Sequence, residues 1–541
     1  MDSSKLQSIL IIDGSTKDIV LSQLKRILSS SYFRLSPQLG RFLSFVVESV
    51  LSGQVHQIKQ YTIAVDAFGY REDFDPQMNP AMRVLASRLR KMLKQYYLHD
   101  GVDDEVLIEI PKRTYIPIFR TNLTVQTQNQ SGSTKTLSQF SVPDYGLSVA
   151  VIPFSSQIPD NNICADEITD SIIMGLAKFR EMRIIGPLVR YQNRFVDVEE
   201  IGRRYYVRFV LQGRVQIQGD KLRVTVGLTD SHTGYNIWSQ TYEYLQAATN
   251  LLDAEDNVSR RIVNALADYM GIIPSLIIRE SKKKDPEGLE VHEAILSQKH
   301  YLKVFETQSY LAAVEALEHA VKVDPDHPIA LATLGNAYCH NHLFDMRLLS
   351  ATLEDAERLV QRAIAFDSEC QMAHFTEGIM RYLQGQSDQC IEKLHLTISL
   401  NNLDAYFMYG SAVMTCMVGY WKEGAALFEQ ARKLNSQHPP FYFVLPFMDH
   451  YRKGEYQEAW NYALRFNTSI YVDPLIRAAA AGQLGLKDQA EIALQELLDM
   501  KPDFPSHPQD LLRRCFFLDE HVEMLLEGLL KAGLKLEVSK N

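Results

Sequence analysis

Between Met78 and Leu98 the chain carries Arg83, Arg88, Arg90, Lys91 and Lys94 and no acidic residue. An arginine can bridge the O6 and N7 of guanine, and either cation neutralises a backbone phosphate. A basic run at helical spacing is therefore chemistry for nucleic acid. On a helix Arg83, Arg90, Lys91 and Lys94 fall near one another, while Val84, Leu85, Leu89, Met92, Leu93 and Tyr96 form an apolar stripe. Arg88 lies between the two faces. A second basic pair, Lys112 and Arg113, follows Pro111 in the turn between the strand-like runs EVLIEI and IPIF. A basic helix running into a two-stranded ribbon with a basic tip is how a winged helix meets DNA, with the helix in the major groove and the tip on the backbone. The same residues also fit a solvated face, or arginines paired with Glu72, Asp73 and Asp75 just upstream.

Other chemistry is sparse. Asp166, Glu167 and Asp170 cluster where a helix is expected to begin, and capping of that helix outweighs acid/base work. There is no GxGxxG and no phosphate-cradling GxxxxGK[ST] loop. His292, His300, His319, His327 and His340 show no HExxH or other ligand spacing, and read as scattered surface or packing histidines. The six cysteines (Cys164, Cys339, Cys370, Cys390, Cys416 and Cys515) lack CxxC spacing and read as reduced, mostly buried thiols. No catalytic residue, cofactor or metal ligand is expected, and the chain is read as no enzyme.

The elements that would position these residues fall into segments. Residues 15–120 contain a helix beginning at Asp18, another from Ser36-Pro37 to Gly53, a third over Lys59 to Phe68, then the basic helix and its ribbon. Residues 121–146 are Ser-, Thr- and Gln-rich and nearly uncharged, the composition of a flexible linker. Residues 147–275 alternate strand and helix patterns, with a two-residue hairpin signal at Gly219-Asp220. They predict an α/β sandwich with a mixed sheet whose parallel part comes first. Residues 285–541 are helical. Small residues recur at Ala313, Ala356, Cys390, Gly424 or Ala425, Ala459 and Ala490, and turn glycines at Gly385, Gly419, Gly454 and Gly485. A period near 34 residues with two helices per period signals a solenoid of helical hairpins, with an insertion of about nine residues near Arg347 to Thr352. The expected fold class is multidomain α+β: a winged helix, an α/β sandwich, then an all-α solenoid.

The whole 541-residue chain carries a net charge of −10. Residues 1–120 hold 16 Lys+Arg against 13 Asp+Glu, so the acidity resides downstream and does not argue against a DNA-reading head. No window approaches 18 continuous apolar residues and the first residues lack a basic, cleavable leader, so a cytoplasmic protein without membrane contact is expected.

Family resemblance sharpens this. Leu334-Gly335 with Tyr338, Ala356, Ala363 and the run Gly454-Glu455-Tyr456-Gln457-Glu458-Ala459 resemble tetratricopeptide repeats, although Cys390 replaces the usual Ala. That implies a protein or peptide partner on the concave face. Ser148 to Phe154, Ala165 to Thr169, Val210 to Val215 and the stretch Thr229-Asp230 through Thr233-Gly234 to Trp238 resemble the TolB amino-terminal-like domain of bacterial regulators and adenylate-cyclase-associated proteins. Phe42 to Glu48, Tyr61 to Val65, Phe74-Asp75-Pro76, Arg83-Val84, Arg88-Leu89-Arg90 and Ile110-Pro111-Lys112 are similar to the winged-helix head that precedes such domains, and distantly to the OmpR-type output domain. Many such relatives place a membrane span where this chain has its polar linker. The combined reading is a soluble transcriptional regulator or signalling protein. Its head binds DNA as a possible homodimer, through the seven basic residues named above, and its other domains bind a protein partner. The alternative is a protein-interaction scaffold without DNA binding, associated with cyclic-nucleotide signalling.

Overall fold

The computed structural model describes residues 14–34, 36–52, 58–68, 81–98, 100–101, 104, 106–110, 115–121, 146–156, 162–186, 197–218, 221–245, 251–268, 271–435 and 439–536. The chain forms two compact units, Met1–Phe140 and Ser141–Asn541.

In the first unit, α1 (Gly14–Ser29), α2 (Ser31–Arg34) and α3 (Pro37–Leu51) are followed by α4 (Gln60–Thr62), which widens into a π-type turn over Ile63–Ala67. The helix α5 (Ala81–Leu98) leads to an antiparallel ribbon of β1 (Val106–Glu109) and β2 (Ile118–Thr121), in register from Val106↔Thr121 to Glu109↔Ile118. Helix α1 begins four residues before Asp18, and α2 carries no long apolar pattern to announce it. The stripe of α5 is centred differently from expectation. Met82, Ala86, Leu89, Leu93 and Tyr96 are buried, whereas Leu85 and Met92 are only partly so. This is an i, i+4, i+7 row in which the small Ala86 lets α5 sit close to its neighbours. The side chain of Val84 lies outside the described set.

The second unit opens with a sheet layer. Strands β3 (Ser148–Val151), β4 (Ser155–Ser156), β5 (Arg183–Ile185), β6 (Phe209–Gln218), β7 (Lys221–Asp230) and β8 (Asn236–Leu245) form one sheet in the order β5-β3-β6-β7-β8, with β4 beside β6. Strand β3 is parallel to β5 and β6, and β6-β7-β8 is an antiparallel meander, so the mixed sheet has its parallel part first. Helices α6 (Asn162–Ala177) and α8 (Leu251–Ala267) cover one face, and α7 (Val198–Tyr205) covers part of the other. Asp197 caps α7 by accepting from Glu200 N at 3.0 Å.

Helix α9 (Ile272–Ser281) joins this layer to a solenoid of helix pairs: α10 (Val291–Val304) with α11 (Thr307–Val323), α12 (Pro328–Leu343) with α13 (Leu353–Phe366), α14 (Gln371–Leu383) with α15 (Ser387–Leu400), α16 (Ala405–Met417) with α17 (Trp421–Leu434), α18 (Val444–Arg452) with α19 (Tyr456–Phe466), and α20 (Val472–Leu484) with α21 (Lys487–Met500). A last pair, α22 (Pro508–Phe516) and α23 (Asp519–Lys531), completes the described helices. The small residues all sit at close helix contacts. Ala313, Ala356, Cys390, Ala459 and Ala490 are buried, and Gly424 rather than the exposed Ala425 fills the fourth position. The turn glycines Gly385, Gly419, Gly454 and Gly485 have φ of 75°, 107°, 74° and 68°, where any side chain is strained, which explains their recurrence. The expected insertion is the irregular stretch 344–352 between α12 and α13. Thr352 and Asp355 then start α13 with a reciprocal capping box.

The two helices of each pair are buried unequally. Ten of 13 residues of α14, of α16 and of α20 are buried, against three of 14 in α13, in α15 and in α17. The first helices therefore form an inner layer covered on all sides, and the second helices form the outer wall.

Candidate functional site

In the first unit, Asp104 ties the basic helix to its surroundings. Its carboxylate accepts from Tyr96 Oη at 2.6 Å, from the Gln23 side-chain amide and from Arg26 Nη1 at 2.5 Å. Tyr97 Oη accepts from Ile108 N at 2.7 Å, fixing β1 against α5. Burial opposes the Asp104 charge, but the Tyr96, Gln23 and Arg26 donors prevail and hold its carboxyl below the usual range. Sequence reading missed this hub because its members come from three separated segments.

The basic residues separate. Arg88 is exposed. Arg90, expected on the basic face, is half-buried and donates from Nε to Ile110 O at 3.1 Å, so it secures the end of β1. Arg83, Lys91 and Lys94 belong to α5, with side chains outside the described set, and Lys112 and Arg113 lie outside the described residues. The acids Glu72, Asp73 and Asp75 also lie outside them.

In the sheet layer, α6 starts at Asn162, so Asp166, Glu167 and Asp170 stand in its second and third turns rather than at its N-terminus. The expected dipole role is thereby corrected. Burial, together with the Glu167 charge, raises the carboxyl of Glu255 on α8 above its usual range, despite a hydrogen bond from Cys164.

The densest charged cluster lies where the sheet layer meets the solenoid. Lys299 on α10 reaches Glu181 in the α6–β5 turn at 2.8 Å, with side chains 10% and 17% exposed. Asp404 caps α16, accepting from Tyr406 N at 3.0 Å and Phe407 N at 3.2 Å, and Asp268, just past α8, accepts from Ala405 N at 3.2 Å. Burial drives the Asp404 carboxyl up to about 7, reinforced by Asp268 and countered by Lys299. Glu181 also loses solvation, but Lys299 holds its carboxyl below the usual range. Around the cluster the core is continuous. Leu296 of α10 and Leu403 before α16 pack into the apolar core of the sheet layer, and Arg180 pairs with Asp367 at 3.1 Å. Sheet and solenoid form one body.

At its far end the solenoid closes on itself. Lys501 donates to Asp345 Oδ2 at 2.6 Å and to Asp345 O at 2.8 Å, and Arg347 bridges Asp345 and Asp503. Arg514 Nη1 donates to His342 O at 2.7 Å, and Tyr382 Oη donates to Cys515 O at 3.0 Å. Helix α23 packs on α18 and α20, where Tyr451 Oη donates to Met524 O at 3.1 Å. The loop 344–352 and the C-terminal hairpin thus narrow the concave inner face, where a protein or peptide partner was expected. What remains inside is an apolar cavity of about 170 Å³, walled by Phe305, His340, Phe375, Tyr409, Val413, Phe516 and their neighbours.

Asp345, Asp503 and His507 bring potential ligand atoms within 4.8 Å of one another. Lys501, Arg347 and Arg514 already neutralise these carboxylates, so the donor set suits an ion-pair clasp rather than a cation. Of the histidines, His327 caps α12, with Nδ1 accepting from Ala330 N at 3.2 Å, and His340 packs edge-on against Tyr301 and Phe344. All six cysteines are free. One stretch, Asp253–Ser281, has the length and hydropathy of a membrane span, and 62% of its apolar 18-residue window is buried inside the second unit.

No family model matches the chain. A curated relative, "Putative adenylate cyclase 3" of Rhizobium meliloti (strain 1021), is 25% identical over 237 residues, covering 42% of this chain. The chain spans about two fifths of that relative's length, 39%. Solved structures similar to it include Pseudomonas aeruginosa pilF (18% identity, 39% of this chain and 92% of that one, TM-score 0.28). They also include the APC/C hetero-tetramer Cut9–Hcn1 (11%, 95% and 88%, TM-score 0.33) and yeast Tom70 (10%, 96% and 91%, TM-score 0.28).

Proposed function

We propose that this chain is a non-catalytic, cytoplasmic scaffold whose second unit holds a protein partner, in the setting of cyclic-nucleotide signalling. The observation that carries the reading is the fused seam. A shared core and the Lys299–Glu181 pair join the sheet layer to the solenoid, so the outer helices and the ten-residue edge strand β8 are presented in fixed geometry. A partner can then be bound without the cost of ordering two loosely tethered domains. The curated relative's name supports the cyclase setting. Purified full-length chain, incubated with ATP and magnesium, is expected to form no cyclic AMP, and Lys299→Met should weaken partner capture from the source cells. Sustained cyclic AMP formation by the chain alone, or capture indifferent to the seam, would overturn the scaffold reading.

A second reading concerns the head. The solvent-facing Arg88 on a helix that feeds an antiparallel ribbon favours DNA contact by a winged-helix arrangement, with Arg83, Lys91, Lys94, Lys112 and Arg113 as further cations and Arg90 as a strut. Full-length chain titrated onto duplex DNA across a salt series tests it. DNA contact requires affinity to fall steeply with salt, and Arg88→Ala to reduce the slope of log K against log salt by about 1. No retention on DNA at low salt excludes this reading.

A further inference from the structure

We propose that the apolar cavity on the inner face of the solenoid is a binding site for one small, uncharged aromatic molecule that carries a single hydrogen-bonding group, directed at His340. The cavity of about 170 Å³ is lined mainly by the first helices of successive pairs and by Cys515 and Phe516 of α22. An apolar cavity near 150 Å³ holds benzene, so this one suits a ring system of about nine or ten heavy atoms and is far too small for a peptide helix. None of the described residues that line it is an Asp, Glu, Lys or Arg, which excludes a charged guest.

His340 breaks the apolar wall. It is 6% exposed and lines the cavity. The ring is held by edge contacts with Tyr301 and Phe344, at centroid distances of 5.9 Å and 5.6 Å. Burial pushes the imidazole down to about 4, so at neutral pH it is uncharged, with one donor and one acceptor nitrogen. It puts one neutral polar group in an otherwise apolar wall, and a guest that hydrogen-bonds to it gains specificity over one that cannot. The surrounding walls favour aromatic guests, because Phe375, Tyr409 and Phe441 present ring faces and edges to the same space. Phe305 contributes a further ring from a left-handed backbone position (φ 54°), where four of the other pairs use glycine. The chain keeps a strained residue there, and its ring forms part of the wall.

Isothermal titration of the full-length chain with indole and with benzene tests the proposal. Both probes are expected to bind saturably with one site per chain. Val413→Phe, which fills the cavity from α16, should abolish both. His340→Phe should weaken indole two- to tenfold, the worth of one neutral hydrogen bond, and leave benzene unchanged. Absence of saturable binding of either probe overturns the proposal. So does unchanged binding in a Val413→Phe chain that retains its helical circular dichroism. If that variant does not fold, the His340→Phe comparison decides, and equal effects on indole and benzene overturn the assigned role of the imidazole.

Discussion

Lys299 and Glu181 are isolated charges on two elements more than 110 residues apart, and burial makes each depend on the other. Removing one partner of such a pair leaves an uncompensated charge, so Lys299→Met should destabilise the chain by about 3–5 kcal/mol, read as a lower urea midpoint. Restoring neutrality with Glu181→Met in the same chain should recover most of that loss. Asp404 contributes with the opposite sign. Its carboxyl is raised to about 7 in the fold, so between about pH 4 and pH 7 the folded state binds the extra proton. Its contribution is therefore largest at the acid end and is lost as pH rises through 7, while Glu181, Lys299 and Asp268 share the same site. Asp404→Asn keeps a capping oxygen and should flatten the fall in urea midpoint between pH 5 and 8. A slope unchanged by that substitution would show that Asp404 does not hold the proton. None of this was legible in the sequence, where these are single acidic or basic letters on four elements. The basic helix shows the converse. Its cations were visible, but only the fold shows that Arg90 serves Ile110 O while Arg88 faces solvent.

Repeated elements were far more legible. Turn glycines and buried small residues recur because each pair needs a left-handed backbone turn and one close approach, and these constraints leave a period in the sequence. The mixed sheet was legible for a similar reason, since the parallel strands are short apolar runs and β7 alternates buried and exposed positions, while the expected turn residues Gly219 and Asp220 lie outside the described residues. The closure of the solenoid leaves no such mark. Lys501, just past α21, meets Asp345 across more than 150 residues, and Arg514 of the α22–α23 hairpin, which lacks the repeat's spacing, reaches His342 O. Docking of that hairpin relies on glycine. A Cβ at Gly482 would press on the backbone carbonyl of Gly528, which has no way to yield. Gly482→Ala should therefore cost about 1–3 kcal/mol and speed amide exchange in α22 and α23 ahead of the sheet. Uniform exchange across the second unit would mean that the hairpin is not held at this contact.

At the scale of the molecule, a head with a helix and ribbon precedes one large body in which sheet and solenoid share a core. The repeat resemblance implies a partner on the concave face, and the buried first helices line an apolar cavity there. The central claim is that this body acts by holding a partner in fixed geometry. Native mass spectrometry of the tagged full-length chain, isolated from its source cells under mild conditions, tests it most directly. The account predicts a complex heavier than the 61.8 kDa chain, containing a second protein in fixed ratio that dissociates when Lys299→Met loosens the seam. A chain that emerges only at 61.8 kDa or its multiples, with no second protein at any ionic strength, would contradict it.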